Sequence, residues 1–140
     1  MTDRREDGYE VSTDPERLDA AAIHGFLTTA YWCAGIPREK VQRAIAGSLP
    51  FGLYAPGGEQ AGFARVVTDR ATFAYLADVF VLEAHRGSGL GVWLIECVVA
   101  HPDLQDLRRF HLATADAHGL YERFGFLPHP HREWLLDRLG

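Results

Sequence analysis

Apolar positions along this 140-residue chain follow two different periods, and the changes between them mark its elements. Leu18, Ala22, Phe26 and Ala30 recur at intervals of four, which predicts a first helix with one apolar face. That helix opens on Thr13-Asp14-Pro15-Glu16, with a capping Thr or Asp, a proline in the first turn and Glu three residues after Thr13. Gly35-Ile36-Pro37 interrupts the chain. Pro37 then starts a second helix, carrying Val41, Ala44, Ile45 and Leu49 at helical spacing, and Pro50 ends it. Runs over 9–12, 51–54, 61–68 and 72–82 read as strands, and Pro56-Gly57-Gly58-Glu59 supplies a hairpin turn between the second and third. A helix over 92–100 stops at Pro102, and a short apolar strand follows over 110–113. Asp116 then caps a helix with Ala117, Leu120, Tyr121 and Phe124 on one face, closed by Gly125. Phe126-Leu127 and Trp134-Leu135-Leu136 read as closing strands, and the polar residues 1–8 as a disordered terminus. The order β-α-α-β-β-β-α-β-α-β predicts one α+β (mixed α/β) domain over 9–140.

Composition narrows the class. With 47% apolar and 24% charged residues, the chain can bury a core without disulfide staples. Cys33 and Cys97 lack C-x-x-C spacing and sit among apolar residues, so reduced thiols in a cytoplasmic protein are expected. The first residues carry no apolar signal segment, and no apolar run approaches the ~20 residues of a membrane helix. A net charge of −5, with Arg108-Arg109 the longest basic run in the body of the domain, argues against nucleic acid as a partner; the acidic balance reads first as a solubility feature and second as suited to a cationic substrate. His129 and His131 stand two apart, but Pro128 and Pro130 make an exposed turn there, so no metal site is expected.

The chemistry concentrates in Arg86-Gly87-Ser88-Gly89-Leu90-Gly91, between the strand over 72–82 and the helix over 92–100. Three glycines let backbone N–H groups turn toward one point, the positive end of the helix faces it, and Arg86 adds a cation. That combination binds phosphate. No Gly-Lys-Ser/Thr follows, which excludes a Walker A loop, and the glycine spacing does not fit the dinucleotide fingerprint.

The pattern R-x-x-G-x-G resembles the acetyl-CoA pyrophosphate loop of the GNAT N-acyltransferases. A second stretch, Ala117-His118-Gly119-Leu120-Tyr121-Glu122-Arg123-Phe124-Gly125-Phe126, is similar to the later motif of that family, in family order and at about family spacing. The resemblance runs from Tyr9 to about Leu136. It implies a twisted, mostly antiparallel sheet flanked by helices and splayed between the fourth and fifth predicted strands, with acetyl-CoA in the opening. It implies that Arg86, Gly87, Ser88, Gly89, Leu90 and Gly91 hold the pyrophosphate and that the backbone of Phe80, Val81 and Leu82 pairs with the pantetheine arm. Thr114 stands where the family often has Asn, and Glu83 where Pro is common.

Tyr121 matches the family tyrosine whose hydroxyl reaches the cofactor sulfur, which implies a general acid for the leaving thiolate. Asp78 interrupts an apolar strand and is expected to share a face with Leu76 and Phe80; such a carboxylate is either a candidate general base, with His24, His111 and His118 behind it, or a structural acid satisfied by backbone N–H groups at the splay or orienting a water. Tyr31 and Trp32, near the end of the first helix, are expected either to roof the acceptor site, enclosing an amine by cation–π contact, or to join the core. Neither cysteine is placed as a nucleophile, so direct attack of an amine on the thioester is the expected course. The expected activity is an acetyl-CoA-dependent N-acetyltransferase acting on a small-molecule amine. A protein lysine or N-terminal amine as acceptor, and a non-catalytic acyl-CoA sensor, are the competing expectations. Edge strands near the C-terminus leave a homodimer open.

Overall fold

The computed structural model, which describes residues 1–140, is built on a six-stranded sheet in the order β1-β2-β3-β4-β5-β6. The strands are β1 (Thr2–Arg4), β2 (Glu10–Ser12), β3 (Leu49–Tyr54), β4 (Gln60–Thr68), β5 (Phe73–Val81) and β6 (Arg109–Leu112). All neighbours are antiparallel except β5 and β6, which run parallel. Helices α1 (Ala20–Leu27) and α2 (Arg38–Ala46) cover one face; α3 (Leu90–Ala100) and the short α4 (His118–Glu122) cover the other. The larger core joins Phe51, Leu53, Val66 and Leu76 to Leu94, Ile95 and Val98 of α3. The smaller joins Phe63 and Phe80 to Ile23, Leu27 and Val41. No helix is long and apolar enough to cross a membrane.

Several expectations shift. Residues 1–8 are not disordered: β1 pairs with β2 in the register Thr2↔Ser12, Asp3↔Val11 and Arg4↔Glu10, and Arg4 forms an ion pair with Glu10. An edge strand with every side chain exposed shows no apolar alternation, so its sequence reads as a solvated tail. The first helix begins later, because Asp14 caps only a 3₁₀ turn (Pro15–Arg17) and Asp19 caps α1 by accepting from the Ala22 N–H at 3.1 Å. Asp116 caps nothing; Thr114 Oγ1 instead accepts from the Ala117 N–H at 3.1 Å just before α4. The two closing strands are absent. Pro128 and Pro130 cannot donate to a ladder, the His131 N–H goes to His129 Nδ1, and the tail holds only a 3₁₀ turn (Arg132–Trp134).

Two irregularities in β5 create the site. Pairing with β6 runs only from Phe73↔Arg109 to Leu76↔Leu112. Beyond it, five residues of β5, about 16 Å of strand, have β4 on one side and an opening on the other. Within that stretch the β4 register slips between Phe63↔Phe80 and Arg65↔Ala77, and Asp78 adopts φ 56°. This β-bulge breaks the two-residue alternation. Leu76 consequently packs in the larger core and Phe80 in the smaller one, on opposite faces of the sheet, which corrects the expectation that both share a face with Asp78.

Gly62 permits close packing beside the bulge. A Cβ there would lie 2.6 Å from the Phe80 carbonyl oxygen and 2.9 Å from Leu53 Cδ2. Gly62→Ala therefore forces β4 from β5 and is expected to cost about 1–3 kcal/mol, read as a Tm lowered by roughly 3–10 °C. Gly25→Ala, in α1 with no atom within 4 Å of the added methyl, is the control and should leave Tm unchanged or raise it.

Candidate active site

Gly89 sits at φ 75°, in the left-handed region, directly before α3, and Gly87 at φ 95°. A Cβ at either position would meet nothing within 4 Å, so backbone conformation rather than crowding requires glycine there. No side chain caps α3; the first helical bond closing onto the loop runs from the Trp93 N–H to the Gly89 carbonyl. The N–H groups of the first turn thus remain unpaired at the positive end of the helix. They border a cavity of about 360 Å³ lined by Val81, Arg86, Gly87, Gly89, Leu90 and Gly91. Arg86 is anchored through Nε to the Val81 carbonyl at 2.9 Å, which leaves its terminal nitrogens to serve the cavity. Leu90 turns its side chain into the core. Uncapped donors, a fixed cation and two glycines held at positive φ fit a pyrophosphate.

Of the three strand residues expected to offer their backbone, Phe80 and Leu82 turn theirs to β4, and the Val81 carbonyl accepts from Arg86. The Leu82 N–H donates to the Ala61 carbonyl at 2.8 Å, and the Phe80 carbonyl faces β4 beside Gly62. Antiparallel alternation then turns the Val81 N–H toward the opening. Phe80 contributes its ring instead, stacked on Phe26 at 4.1 Å between centroids.

Tyr121 lies on α4 beside Leu120, which lines the cavity at the Gly-rich loop; it is 8% exposed, with its ring edge-on to Phe126 at 6.1 Å. Burial pushes its phenol above the usual tyrosine value, and Asp116 and Tyr31 push it further in the same direction. Thr114 borders the same cleft as Tyr121, but its hydroxyl accepts the Ala117 N–H; its first role is to start α4.

A separate polar cluster is built around Asp78 at the bulge. The positive φ at the bulge directs this carboxylate to Arg65, whose Nε donates to Oδ2 at 2.6 Å, and to Trp32, whose Nε1 donates to Oδ1 at 2.9 Å. Arg65 also reaches Ser48 Oγ at 3.2 Å. Asp78 is thus an ion-paired group, not the isolated carboxylate expected on an apolar strand face. Tyr31 and Trp32 are 64% and 43% exposed, and their rings meet edge to face at 5.1 Å, so they form a rim and not core. Of the three histidines considered, His24 is tied to the Ile36 carbonyl at 3.0 Å, His111 packs between Phe73 and Tyr75, and His118 is exposed at the start of α4.

Both cysteines are free thiols held protonated by burial. Cys97 is pushed up to about 12, and Cys33, also raised, donates to the Leu27 carbonyl. Arg65 escaped sequence reasoning because a lone arginine in an apolar strand carries no motif. Arg5 and Tyr9, which touch the Gly-rich loop, escaped it with β1; the Asp7-Gly8 pair was the available signal for that hairpin.

Comparison with known proteins bears on the family and the fold. The family described as the acetyltransferase (GNAT) domain matches residues 51–128. A candidate acetyltransferase of Gibberella zeae is 33% identical over 135 residues, covering 81% of this chain and 75% of that protein. A crystal structure of a candidate GNAT acetyltransferase from Xanthomonas campestris pv. campestris superposes with a TM-score of 0.91 at 53% identity, covering 94% of this chain and 93% of the other. A Clostridium acetobutylicum protein solved with acetyl-CoA shares the fold at a TM-score of 0.66 and 14% identity, covering 99% of this chain and 96% of its own.

Proposed function

Since this chain belongs to the GNAT family of acetyltransferases, we propose that it moves an acetyl group from acetyl-CoA to a primary amine by direct attack, with a small-molecule amine as acceptor. The observation that carries the reading is the cradle at the start of α3, where uncapped first-turn N–H groups and Arg86 line one cavity with Val81 and with Leu120, the residue before Tyr121 on α4. When bound, acetyl-CoA supplies an activated acyl carbon and a thiolate leaving group. The first-turn N–H groups of α3, with Arg86, hold the pyrophosphate. The Val81 N–H, unpaired on the strand edge, would polarise the acyl carbonyl. Tyr121 would hold its hydroxyl proton for the departing sulfur.

Asp78 serves the acceptor. Two of its about four lone-pair positions are taken by Arg65 and Trp32, and the rest face the incoming nitrogen as hydrogen-bond acceptors. Arg65 and Trp32 hold the carboxylate in place, so Asp78 is positioned to orient the amine, and the proton the nitrogen loses on forming the amide returns through solvent to the Tyr121 oxygen. The exposed ring pair of Tyr31 and Trp32 favours a compact cationic or aromatic amine at the rim. A cytoplasmic setting belongs to this reading.

The test is an incubation with acetyl-CoA labelled in the acetyl carbon and a panel of small amines, lysine peptides and free N-terminal peptides, read by mass spectrometry. Labelled small amines support the proposal. Label only on peptides overturns the acceptor class. Acetyl-CoA binding with no transfer to any acceptor overturns the enzyme in favour of a sensor.

A further inference from the structure

The steps above make no use of the N-terminal hairpin, yet its turn grips the Gly-rich loop. Arg5 Nη1 donates to the Ser88 carbonyl at 3.0 Å across 83 residues of sequence. The rest of the same guanidinium is fixed from behind: Nε and Nη2 donate to the two carboxylate oxygens of Asp7 at 3.1 and 2.6 Å. Its carbon lies 5.7 Å from the Tyr9 ring centroid and 5.6 Å from that of Trp93, in the first turn of α3. Tyr9 holds the other flank of the loop, its hydroxyl 2.8 Å from His85 Nδ1, next to Arg86.

Ser88 is the point at which such a grip matters. It stands between Gly87 and Gly89, both at positive φ, so the loop has hinges on either side of one residue. A trans peptide is planar: holding the Ser88 carbonyl toward Arg5 directs the Gly89 N–H away from the hairpin. We propose that residues 5–9 are a strap that sets the conformation of the phosphate loop, with Arg5 and Tyr9 as positioning residues for the acyl donor. This rests on the reading that the loop binds acetyl-CoA. Because Asp7 neutralises Arg5, the strap acts on the shape of the loop and not as a phosphate ligand. Apparent affinity scales with the fraction of time a loop is competent to bind, so loosening the strap weakens donor binding without touching chemistry at Tyr121.

The experiment compares Arg5→Ala, Arg5→Lys and Tyr9→Phe with the wild type. In the free protein, amide hydrogen exchange over 87–91 should quicken in Arg5→Ala while Tm stays within a few degrees. The Kd and KM for acetyl-CoA should rise by roughly 5- to 20-fold with kcat within about two-fold, and Arg5→Lys should restore part of the loss. The salt dependence of binding should match the wild type; a shallower dependence in Arg5→Ala would make Arg5 a direct phosphate contact and overturn the strap. Unchanged loop exchange and unchanged Kd would overturn it as well. A wild type that binds no acetyl-CoA, with loop exchange still sensitive to Arg5, would overturn the donor reading and uphold the mechanical strap.

Discussion

Tyr121→Phe should lower kcat by about 10²-fold or more while acetyl-CoA affinity stays within about two-fold of the wild type. The substitution removes one oxygen and leaves the ring in its buried place beside Phe126, so fold and donor cavity are conserved. Steady-state kinetics beside a binding titration separates the two parameters. The pH profile adds an independent check. Burial, Asp116 and Tyr31 raise the phenol above its ordinary value of 10, so the proton is present at every pH below that value and is lost only above it. Tyr121 therefore contributes no falling limb to the wild-type profile between pH 6 and about 9.5, and the deficit of the variant should be constant across that range. A deficit that vanishes as pH rises would show that the hydroxyl is not the proton donor. The raised value also makes the phenol a weaker acid, so the proton is best given as the C–S bond breaks, not before.

Gly89→Asp should abolish acetyl-CoA binding, with Kd raised by at least about 10²-fold, while stability changes little. Gly89 holds φ 75°, a conformation that Asp and Asn adopt more readily than other side chains, so both variants should fold. A carboxylate at this position lies where the uncapped N–H groups of α3 converge, and it fills the anion site from within the chain. What repels the cofactor thus partly repairs the helix end. Gly89→Asn, nearly isosteric and uncharged, should lose much less affinity. Equal losses in the two variants, measured by calorimetry with Tm alongside, would mean that loop shape and not charge governs the site.

The parts of this site legible in the sequence were those whose chemistry is local. Arg86 through Gly91 announce a phosphate loop because glycine spacing, cation and helix start lie within a few residues. Tyr121 is legible through its motif, and it lies on α4 next to Leu120, which lines the cavity of that loop. The rest depended on long-range pairing. The slip at Asp78 arises where β4 and β5 meet, so period-two reading put Leu76 and Phe80 on one face when the bulge separates them. The Asp78 partners Arg65 and Trp32 come from another strand and from the connection between α1 and α2, and no spacing rule joins them. β1 was hidden by its own solubility, since Asp3 and Arg4 suit an exposed edge as well as a tail. The closing strands failed for the reverse reason: Trp134 and Leu136 are apolar enough for a strand, but nothing in this chain pairs with them.

Calorimetric titration of the wild-type protein with acetyl-CoA tests the central claim most directly, because every role assigned here depends on the donor sitting at the α3 loop. One-to-one binding at micromolar concentration, lost in Gly89→Asp, is the predicted result. A folded wild-type protein that gives no binding heat at several temperatures and does not shift its Tm with millimolar acetyl-CoA would contradict it.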